Sequence, residues 1–324
     1  MKRILKIGLI IIGVILVLLI IGPFLIPVPP LDGVKPGTQL GDADSQFVRI
    51  NNLVVHYKVA GQQTQPTIVL LHGFAASVFS WREVMQPLGQ YGAVIAYDRP
   101  GFGLTSRPLP GEWSGDSPYG IDAQVDLVIA MLDKFSANKA ILVGNSAGGT
   151  IAALTALRHP ERVQELILVD PAIYSSGNAP WYLPVMTTPQ GRQIGPLIAR
   201  QIKDWGIDFA KSAWHDPSKI TPEIWAGYTQ PLQVENWDRG LWEFTASSKP
   251  TELASSLKKI GVPTLVITGD DDRIVPTTQS IQLAHDLPNA QLVVIPNCGH
   301  VPHEECPQAF MQAVKNFLDK PQPE

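Results

Sequence analysis

The sequence feature that most constrains the fold is a serine flanked by glycines, between an apolar run and a helical pattern. Ala140–Val143 is typical of a buried strand, and Thr150–Leu157 is typical of a helix packed behind it. Ser146 then lies in a sharp strand-to-helix turn, where Gly144 and Gly148 leave room for close packing. The positive end of the helix dipole favours negative charge beside the hydroxyl group. The stretch therefore predicts an exposed, nucleophilic serine on an α/β scaffold.

The first 30 residues predict a membrane anchor. Lys2, Arg3 and Lys6 precede an uncharged, almost wholly apolar run from Ile7 to Ile26, which is long enough to span a bilayer as a helix. A cleaved signal peptide is the alternative, but its apolar region is usually shorter and ends at an alanine-rich site, and no alanine precedes Ala43. Because basic residues stay on the cytoplasmic side, we expect a cytoplasmic N-terminus and a catalytic domain on the periplasmic or extracytoplasmic side.

The remainder of the chain predicts one α/β domain with an insertion. After a proline-containing linker over residues 31–45, apolar runs alternate with helical stretches in residues 46–172 and 251–320. The predicted helices include one near residues 81–90, Thr277–Asp286 and Pro307–Leu318. This alternation indicates a mostly parallel sheet of about eight strands, covered by helices on both faces. Residues 173–250 contain no strand-like run but hold six of the eight tryptophans. We interpret them as a helical lid over the strand ends, with a subdomain that packs its own core as the alternative.

Charge and cysteine content exclude several classes of protein. The net charge of -4 provides no basic surface for nucleic acid. The only cysteines are Cys298 and Cys306, which excludes a disulfide scaffold and a cysteine-rich metal site. In an oxidising compartment these two could bond, but two free thiols are the expectation.

Five motifs, in this order along the chain, resemble those of lid-bearing α/β-hydrolases, the group that includes esterases, lipases and hydrolases of carbon–carbon bonds in ring-cleavage products. The resemblance extends from about Phe47 to Leu318 and implies the α/β-hydrolase fold. The motifs are Leu71-His72-Gly73-Phe74, Asp98-Arg99-Pro100-Gly101-Phe102-Gly103, Gly144-Asn145-Ser146-Ala147-Gly148-Gly149, Gly269-Asp270-Asp271-Asp272-Arg273-Ile274-Val275-Pro276 and Gly299-His300-Val301-Pro302-His303-Glu304-Glu305.

Ser146 needs a base, because a free hydroxyl is a weak nucleophile at neutral pH. His300 follows the last strand-like run on a glycine loop, and the order serine, acid, histidine is the one this fold uses. The resemblance also places the base directly after Gly299, and His303 is the local alternative. For the acid that orients the base, the resemblance selects Asp272, with Asp170 at the end of the preceding strand as the alternative.

A tetrahedral intermediate needs about two preorganised N–H donors. One is the backbone N–H of Ala147, directly after the nucleophile, and the resemblance assigns the other to Phe74, in the loop after the first parallel strand. His72, before the glycine turn of that loop, is expected to organise it by hydrogen bonds. His56, His159 and the remaining histidines have no motif around them, so surface or packing roles are expected.

The residues around the serine narrow the predicted chemistry. A serine at position 146 excludes the relatives that attack with an aspartate, and Val301 stands where ring-cleavage-product hydrolases commonly carry a tryptophan. We therefore expect a carboxylic-ester hydrolase that forms an acyl-serine, takes a hydrophobic small-molecule ester and uses no metal or organic cofactor. The alternatives are a carbon–carbon bond hydrolase and a non-catalytic binding module on the same fold.

Overall fold

One sheet forms the centre of the protein. The computed structural model describes residues 2–62, 66–174 and 181–319. Within these ranges eight strands form the sheet in the order β1-β2-β4-β3-β5-β6-β7-β8. The strands are β1 (Gln46–Ile50), β2 (Leu53–Ala60), β3 (Thr67–Leu71), β4 (Ala93–Tyr97), β5 (Ala140–Asn145), β6 (Val163–Val169), β7 (Thr264–Gly269) and β8 (Ala290–Ile295). β1 and β4 pair antiparallel with β2, and every other pair is parallel.

The described part of the chain also contains thirteen α-helices. They are α1 (Lys2–Leu25), α2 (Met85–Leu88), α3 (Ile121–Lys134), α4 (Ala147–Arg158), α5 (Leu183–Met186), α6 (Pro189–Ala199), α7 (Ile202–Ser212), α8 (Pro222–Thr229), α9 (Trp237–Ala246), α10 (Leu253–Ser256), α11 (Thr277–Asp286), α12 (Pro302–Glu305) and α13 (Pro307–Leu318). Six of these, α5 to α10, lie between β6 and β7. We call residues 183–246, which contain α5 to α9, the helical insertion.

Side chains alternate between two apolar cores because successive residues of a strand point to opposite faces. On β6, Leu166 and Leu168 pack in one core with α3, α4 and α11, whereas Ile167 and Val169 pack in the other with α2 and α13. These strand residues are fully buried. Burial on both faces explains why the central strands are continuous apolar runs.

The structure confirms the predicted fold class and several element bounds. The patterns for Thr277–Asp286 and Pro307–Leu318 predict helices that the structure contains with those bounds. The helix expected near residues 81–90 is wrong in extent, because the chain forms a 3₁₀ turn and then a single α-helical turn, α2, that ends at Leu88. Of the insertion expected over residues 173–250, residues 175–180 lie outside the described residues.

The N-terminal helix α1 is long and apolar enough to cross a membrane. Within its residues 3–25, an 18-residue window has a mean hydropathy of 3.3 and contains no residue that is buried in the protein. A helix of this length near the N-terminus fits a membrane span or a signal sequence. α1 packs against α6 of the helical insertion.

Candidate active site

The strained serine lies at the carboxyl end of β5. Ser146 has φ of 53° and ψ of -119°, in a region that non-glycine residues rarely adopt without a functional reason. Its backbone N–H donates to Val169 O at 2.9 Å, which fixes the turn against β6. A Cβ atom on Gly144 would lie 2.5 Å from Gly148 O, and one on Gly148 would lie 2.1 Å from Leu71 O. The close packing therefore excludes side chains at both glycine positions.

His300 and Asp272 form a buried hydrogen-bonded pair. Nδ1 of His300 lies 2.7 Å from Asp272 Oδ2, and both residues are buried. The other carboxylate oxygen, Oδ1, accepts from the backbone N–H groups of Ile274 and Val275 at 2.8 and 2.9 Å. Both oxygens of Asp272 thus face donors, which favours the charged carboxylate and places the imidazole proton on Nδ1.

Ser146 and His300 line the same pocket. Among the described residues, neither the Ser146 hydroxyl nor Nε2 of His300 makes a hydrogen bond to another protein group. Catalytic hydrogen bonds in ligand-free enzymes are often long and shorten when substrate binds. The structure therefore brings the predicted acid and base into contact and places the predicted nucleophile in the same pocket.

Asp170, the alternative acid, lies behind Asp272. Its Oδ1 accepts from the Thr268 hydroxyl at 2.6 Å and from Gly269 N at 3.2 Å. No hydrogen bond joins Asp170 to His300 among the described residues. Burial, and then the charge of Asp272, raise the pKa of Asp170 well above its usual value. Asp272 is therefore the carboxylate that the imidazole contacts.

The loop after β3 approaches the serine closely. A Cβ atom on Gly73 would lie 2.8 Å from Asn145 Oδ1 and 3.3 Å from Ser146 Cβ. This approach places the following residue, Phe74, at the pocket beside Ser146. Ala147 begins α4, so its N–H is one of the helix N-terminal groups without an intrahelical acceptor. The two amides that the sequence assigns to an oxyanion hole thus come from two segments next to the nucleophile, the loop after β3 and the start of α4.

His72 holds this loop as a neutral imidazole. Nε2 accepts from Arg99 N at 2.9 Å, and Nδ1 donates to Gly73 O at 2.8 Å. Burial, and then the charge of Arg99, lower the pKa of His72 to about 3. His56, for which a surface or packing role is expected, is a packing residue. It is buried, and its Nδ1 lies 2.6 Å from Asp98 Oδ2.

His303, the local alternative to His300, lies outside the pocket lining. It is fully buried, stacks on Trp81 with ring centroids 4.3 Å apart, and makes a 2.9 Å hydrogen bond through Nε2 with Ser80 Oγ. Burial, and then Arg82 and His300, lower the pKa of His303 well below its usual value. Among the described residues it makes no hydrogen bond to Asp272 or Ser146, and its role is packing.

Two residues that the sequence reasoning missed hold the histidine loop in place. The Asn145 amide donates to His300 O at 3.1 Å and to Val169 O at 3.2 Å, which joins the nucleophile strand to the base. Glu305 Oε2 accepts from Gly299 N at 2.9 Å and from His215 N at 2.8 Å. Asn145 directly precedes the serine, and Glu305 lies in the motif that contains His300. Their positions were the available signal, but His300 lies 155 positions from Asn145, and His215 lies 90 positions from Glu305.

The prediction of two free thiols is wrong. Cys298 and Cys306 form a disulfide, with their Cα atoms 6.4 Å apart. The chain turns back through α12 between them, which brings two residues separated by eight positions within bonding range. The bridge therefore closes a short loop that contains His300.

The described residues include two clusters with three side chains of metal-binding type, each with its ligand atoms within 4.8 Å of one another. One is Cys298, Glu305 and Cys306, and the other is Asp170, Asp272 and His300. In the first cluster both sulfur atoms belong to the disulfide. In the second, His300 Nδ1 already bonds to Asp272. Both clusters therefore have structural partners of their own.

The pocket above Ser146 is lined mainly by apolar side chains from the core and the helical insertion. They include Phe74, Phe102, Ile207, Phe209, Trp214, Trp225, Trp237, Leu241 and Val301. Val301 follows His300 and packs with Trp214, Ile220 and Trp225 of the insertion. An apolar pocket with a few polar groups at one point is typical of a small-molecule site.

The sheet order, the serine after β5 and the histidine after β8 define an α/β hydrolase. The chain belongs to the alpha/beta hydrolase family, to which residues 68–313 match. It is 31% identical over 274 residues to the protein named "Uncharacterized hydrolase YugF" of Bacillus subtilis strain 168, which covers 83% of this chain and 94% of that protein.

Two further similarities involve proteins with named activities. The chain is 32% identical over 262 residues to 2-hydroxymuconate semialdehyde hydrolase of Pseudomonas sp. strain CF600, covering 78% of this chain and 86% of that enzyme. A solved structure of a membrane phospholipase A, described as a bacterial virulence factor, superposes with a TM-score of 0.68. That similarity has 26% identity and covers 98% of each chain.

Proposed function

We propose that the protein is a serine hydrolase that cleaves carboxylic esters of hydrophobic acids through an acyl-serine intermediate. The observation that carries this proposal is the buried Asp272–His300 pair at 2.7 Å, whose imidazole lines the apolar pocket together with Ser146. Ser146, His300 and Asp272 act as nucleophile, base and acid, and the Phe74 and Ala147 amides stabilise the oxyanion.

The proposed reaction follows from the hydrogen-bond directions. With its proton on Nδ1, His300 presents Nε2 as an acceptor for the Ser146 hydroxyl proton while the oxygen attacks the ester carbonyl. The Asp272 carboxylate stabilises the imidazolium that forms. The protonated Nε2 then donates to the leaving alkoxide, and a water molecule activated by the same nitrogen hydrolyses the acyl-serine.

A carbon–carbon bond hydrolase is the second candidate, because the similar Pseudomonas protein is named 2-hydroxymuconate semialdehyde hydrolase. Three observations favour the ester. The pocket lining is mainly apolar, and Val301 replaces the tryptophan that ring-cleavage hydrolases commonly carry at this position. The 26% identical structure that matches 98% of each chain is described as a membrane phospholipase A.

The helical insertion is proposed as the lid of this pocket, and α1 as an uncleaved anchor. Insertion side chains from α7, α8 and α9 complete the lining over Ser146. The apolar length of α1 suits a spanning helix, and three basic residues precede its apolar run. The N-terminus would then be cytoplasmic, with the hydrolase domain on the other side of the membrane.

A fluorophosphonate probe and an ester series test the proposal. The wild-type protein should be labelled at Ser146, and Ser146→Ala should not be labelled. In p-nitrophenyl esters from acetate to palmitate, kcat/KM should rise about fourfold per methylene until the pocket is full, since each buried methylene is worth about 0.8 kcal/mol. A folded protein that is not labelled would instead favour the non-catalytic binding module. Faster cleavage of a vinylogous 1,5-diketone than of any ester would favour the carbon–carbon reaction.

A further inference from the structure

The exposed apolar side chains of the described residues are concentrated in one segment. Outside residues 4–26, the described residues include ten exposed large apolar side chains, and six of these lie between positions 181 and 207. Trp181 is 85% exposed and Ile198 is 55% exposed. Such a concentration marks an interaction surface. We call the six side chains the apolar patch: Trp181, Tyr182, Val185, Ile198, Trp205 and Ile207.

Helix α6, at the centre of this segment, lies beside the last turns of α1. The Gln190 side chain donates to Ile20 O and the Gln193 side chain donates to Ile26 O, each at 3.2 Å. At about 1.5 Å of rise per residue, Ile20 lies about 9 Å back along the helix from Ile26. A helix that spans the hydrocarbon core needs about 20 residues, so the run that ends at Ile26 leaves little excess length. The contacts therefore place α6 at the level where a bilayer crossed by α1 has its headgroups and first methylenes.

We propose that the apolar patch docks into the bilayer that α1 crosses, and that the pocket receives its ester from that bilayer. The substrate would be a lipid-borne ester with a long acyl chain. This inference rests on the proposed function and names the substrate class of the same site. Amphipathic segments at a membrane surface bury their apolar face about 5–10 Å deep. Trp181, Tyr182 and Trp205 are the residue types that are enriched at the headgroup level.

Helix α7 separates this surface from the pocket. Ile202, Gly206 and Phe209 line the pocket, and Trp205 contacts Phe209 edge to face, with ring centroids 6.0 Å apart. Ile207 belongs both to the pocket lining and to the apolar patch. The wall between the proposed bilayer surface and the acyl pocket is thus one helix thick. An acyl chain that leaves the bilayer at α7 would enter the pocket without crossing bulk water.

A second copy of the chain is the competing occupant. A partner protein on the apolar patch would have to displace lipid from the same side of the molecule as α1. The contacts of α6 with α1 make lipid the neighbour already present at that depth. The bilayer is therefore the occupant that the placement of α1 favours.

The test uses full-length protein in vesicles of phosphatidylethanolamine and phosphatidylglycerol. Ile198→Ser and Ile281→Ser are matched variants, because both isoleucines lie on helices and are 55% and 46% exposed. Hydrolysis of a fluorogenic long-chain diacylglycerol ester in the vesicle should fall about fivefold in Ile198→Ser and more in its combination with Trp181→Ser. Ile281→Ser should keep wild-type turnover. All variants should hydrolyse soluble p-nitrophenyl butyrate within about twofold of wild type.

Fluorescence quenching separates docking from catalysis. Brominated lipids should quench wild-type tryptophan fluorescence, and the quenched fraction should fall in Trp181→Ser. Equal bilayer turnover in Ile198→Ser and Ile281→Ser, or quenching unchanged by Trp181→Ser, would overturn the docking proposal. If nanodiscs hold two copies of the wild-type chain but one copy of Ile198→Ser, the apolar patch is a dimer interface. That result would also overturn the docking proposal. If the wild-type protein does not hydrolyse the soluble ester, the proposed function is refuted. The quenching experiment would still test the docking.

A second inference concerns Asp170 and rests on a different observation. Oxygen atoms of Asp170 and Asp272 and a ring nitrogen of His300 lie within 4.8 Å of one another. Asp170 Oδ1 has two donors, whereas Oδ2 is buried without a partner among the described residues. Two carboxylates this close in a buried site cannot both ionise, so one retains a proton.

The hydrogen bonds indicate which carboxyl group is neutral. Asp272 accepts from His300 and from two backbone N–H groups, and so has only donors around it. The unpartnered oxygen belongs to Asp170. We infer that Asp170 is a positioning residue whose Oδ2 carries a proton directed at Asp272. It orients the acid of the triad and offsets part of its negative charge, without contact with the substrate.

The acid limb of the pH profile of kcat/KM distinguishes a protonated Asp170 from an ionised one. Other titratable groups near His300 are Glu304, which pairs with Arg82, and the buried His303. Asp170→Asn keeps a neutral donor at this site, and asparagine tolerates the φ of 44°. The acid limb of kcat/KM for p-nitrophenyl butyrate should stay within about 0.3 pH units of wild type, with kcat within about threefold.

Asp170→Ala removes the donor and should raise the acid limb, because Asp272 then carries its full charge beside His300. A downward shift of about one pH unit in Asp170→Asn would show that an anion had been removed. Identical acid limbs in wild type, Asp170→Asn and a folded Asp170→Ala would reduce Asp170 to a structural role. Either result would overturn the inference.

Discussion

Replacing Asp272 by asparagine should impose the wrong tautomer on His300. Asp272 Oδ1 accepts from the amides of Ile274 and Val275, so the asparagine must keep its carbonyl oxygen there. Its NH₂ group then replaces Oδ2, 2.7 Å from Nδ1 of His300. An NH₂ group can only donate, so Nδ1 must be the acceptor and the imidazole proton moves to Nε2. The nitrogen that faces the pocket can then no longer accept the serine proton.

The expected loss is about 10³–10⁴-fold in kcat, as for comparable substitutions of a triad acid. This corresponds to about 4–5.5 kcal/mol of transition-state stabilisation. The loss should be measured with p-nitrophenyl butyrate, and the tautomer by the ¹⁵N shifts of His300. Asp270→Asn is the matched control, since Asp270 accepts from Cys298 N and makes no contact with the imidazole among the described residues. A folded Asp272→Asn enzyme that loses less than tenfold, or keeps its proton on Nδ1, would refute the reasoning.

Three further predictions follow from the site, the buried histidine and the anchor. Ser146→Ala and His300→Ala should each lower ester turnover by several orders of magnitude, and the double variant by about the same amount, because triad members act as a unit; additive losses would contradict this. Burial lowers the pKa of His72 from 6.5 to about 3 in the folded protein, so on acidification the unfolded state binds a proton before the folded state does. The free energy of unfolding therefore falls as the pH decreases from about 6.5 towards 3. Urea unfolding should show about 2 kcal/mol of this loss between pH 7.5 and 5, removed in His72→Gln and retained in His285→Gln. Alkaline phosphatase fused after Leu318 should be active and an exported green fluorescent protein dark, and the reverse pair would overturn the topology.

The sequence was most informative where the signal is local. Apolar runs predicted the central strands because these are buried on both faces, and Thr277–Asp286 and Pro307–Leu318 predicted helices from their spacing alone. The glycines around Ser146 predicted a tight turn. The structure explains the glycine at position 148, because a Cβ atom there would lie 2.1 Å from Leu71 O. Each of these features depends on residues that are close along the chain.

Contacts between distant segments could not be predicted in the same way. Asn145 bonds to His300 across 155 positions, and Glu305 accepts from His215 across 90. The disulfide was missed for another reason, since its cysteines are near in sequence but their bonding depends on the turn through α12. The choice between Asp272 and Asp170 likewise required the sheet, because β6 and β7 are neighbours and end at the same edge.

The hydrogen bond from His300 N to Ala213 O, at 2.7 Å, has a consequence for protein engineering. Chimaeras that exchange substrate-binding helices between relatives usually place their crossovers at loops. Here residues 213–216 follow α7, yet Ala213, His215 and Asp216 hold the loop of the catalytic base through His300 N and the Glu305 carboxylate. These contacts use main-chain atoms of residues 213–216, so a graft that moves this backbone would alter the base as well as the specificity. The crossovers that preserve turnover should leave 213–216 with the parent sequence and exchange only the helices before or after it.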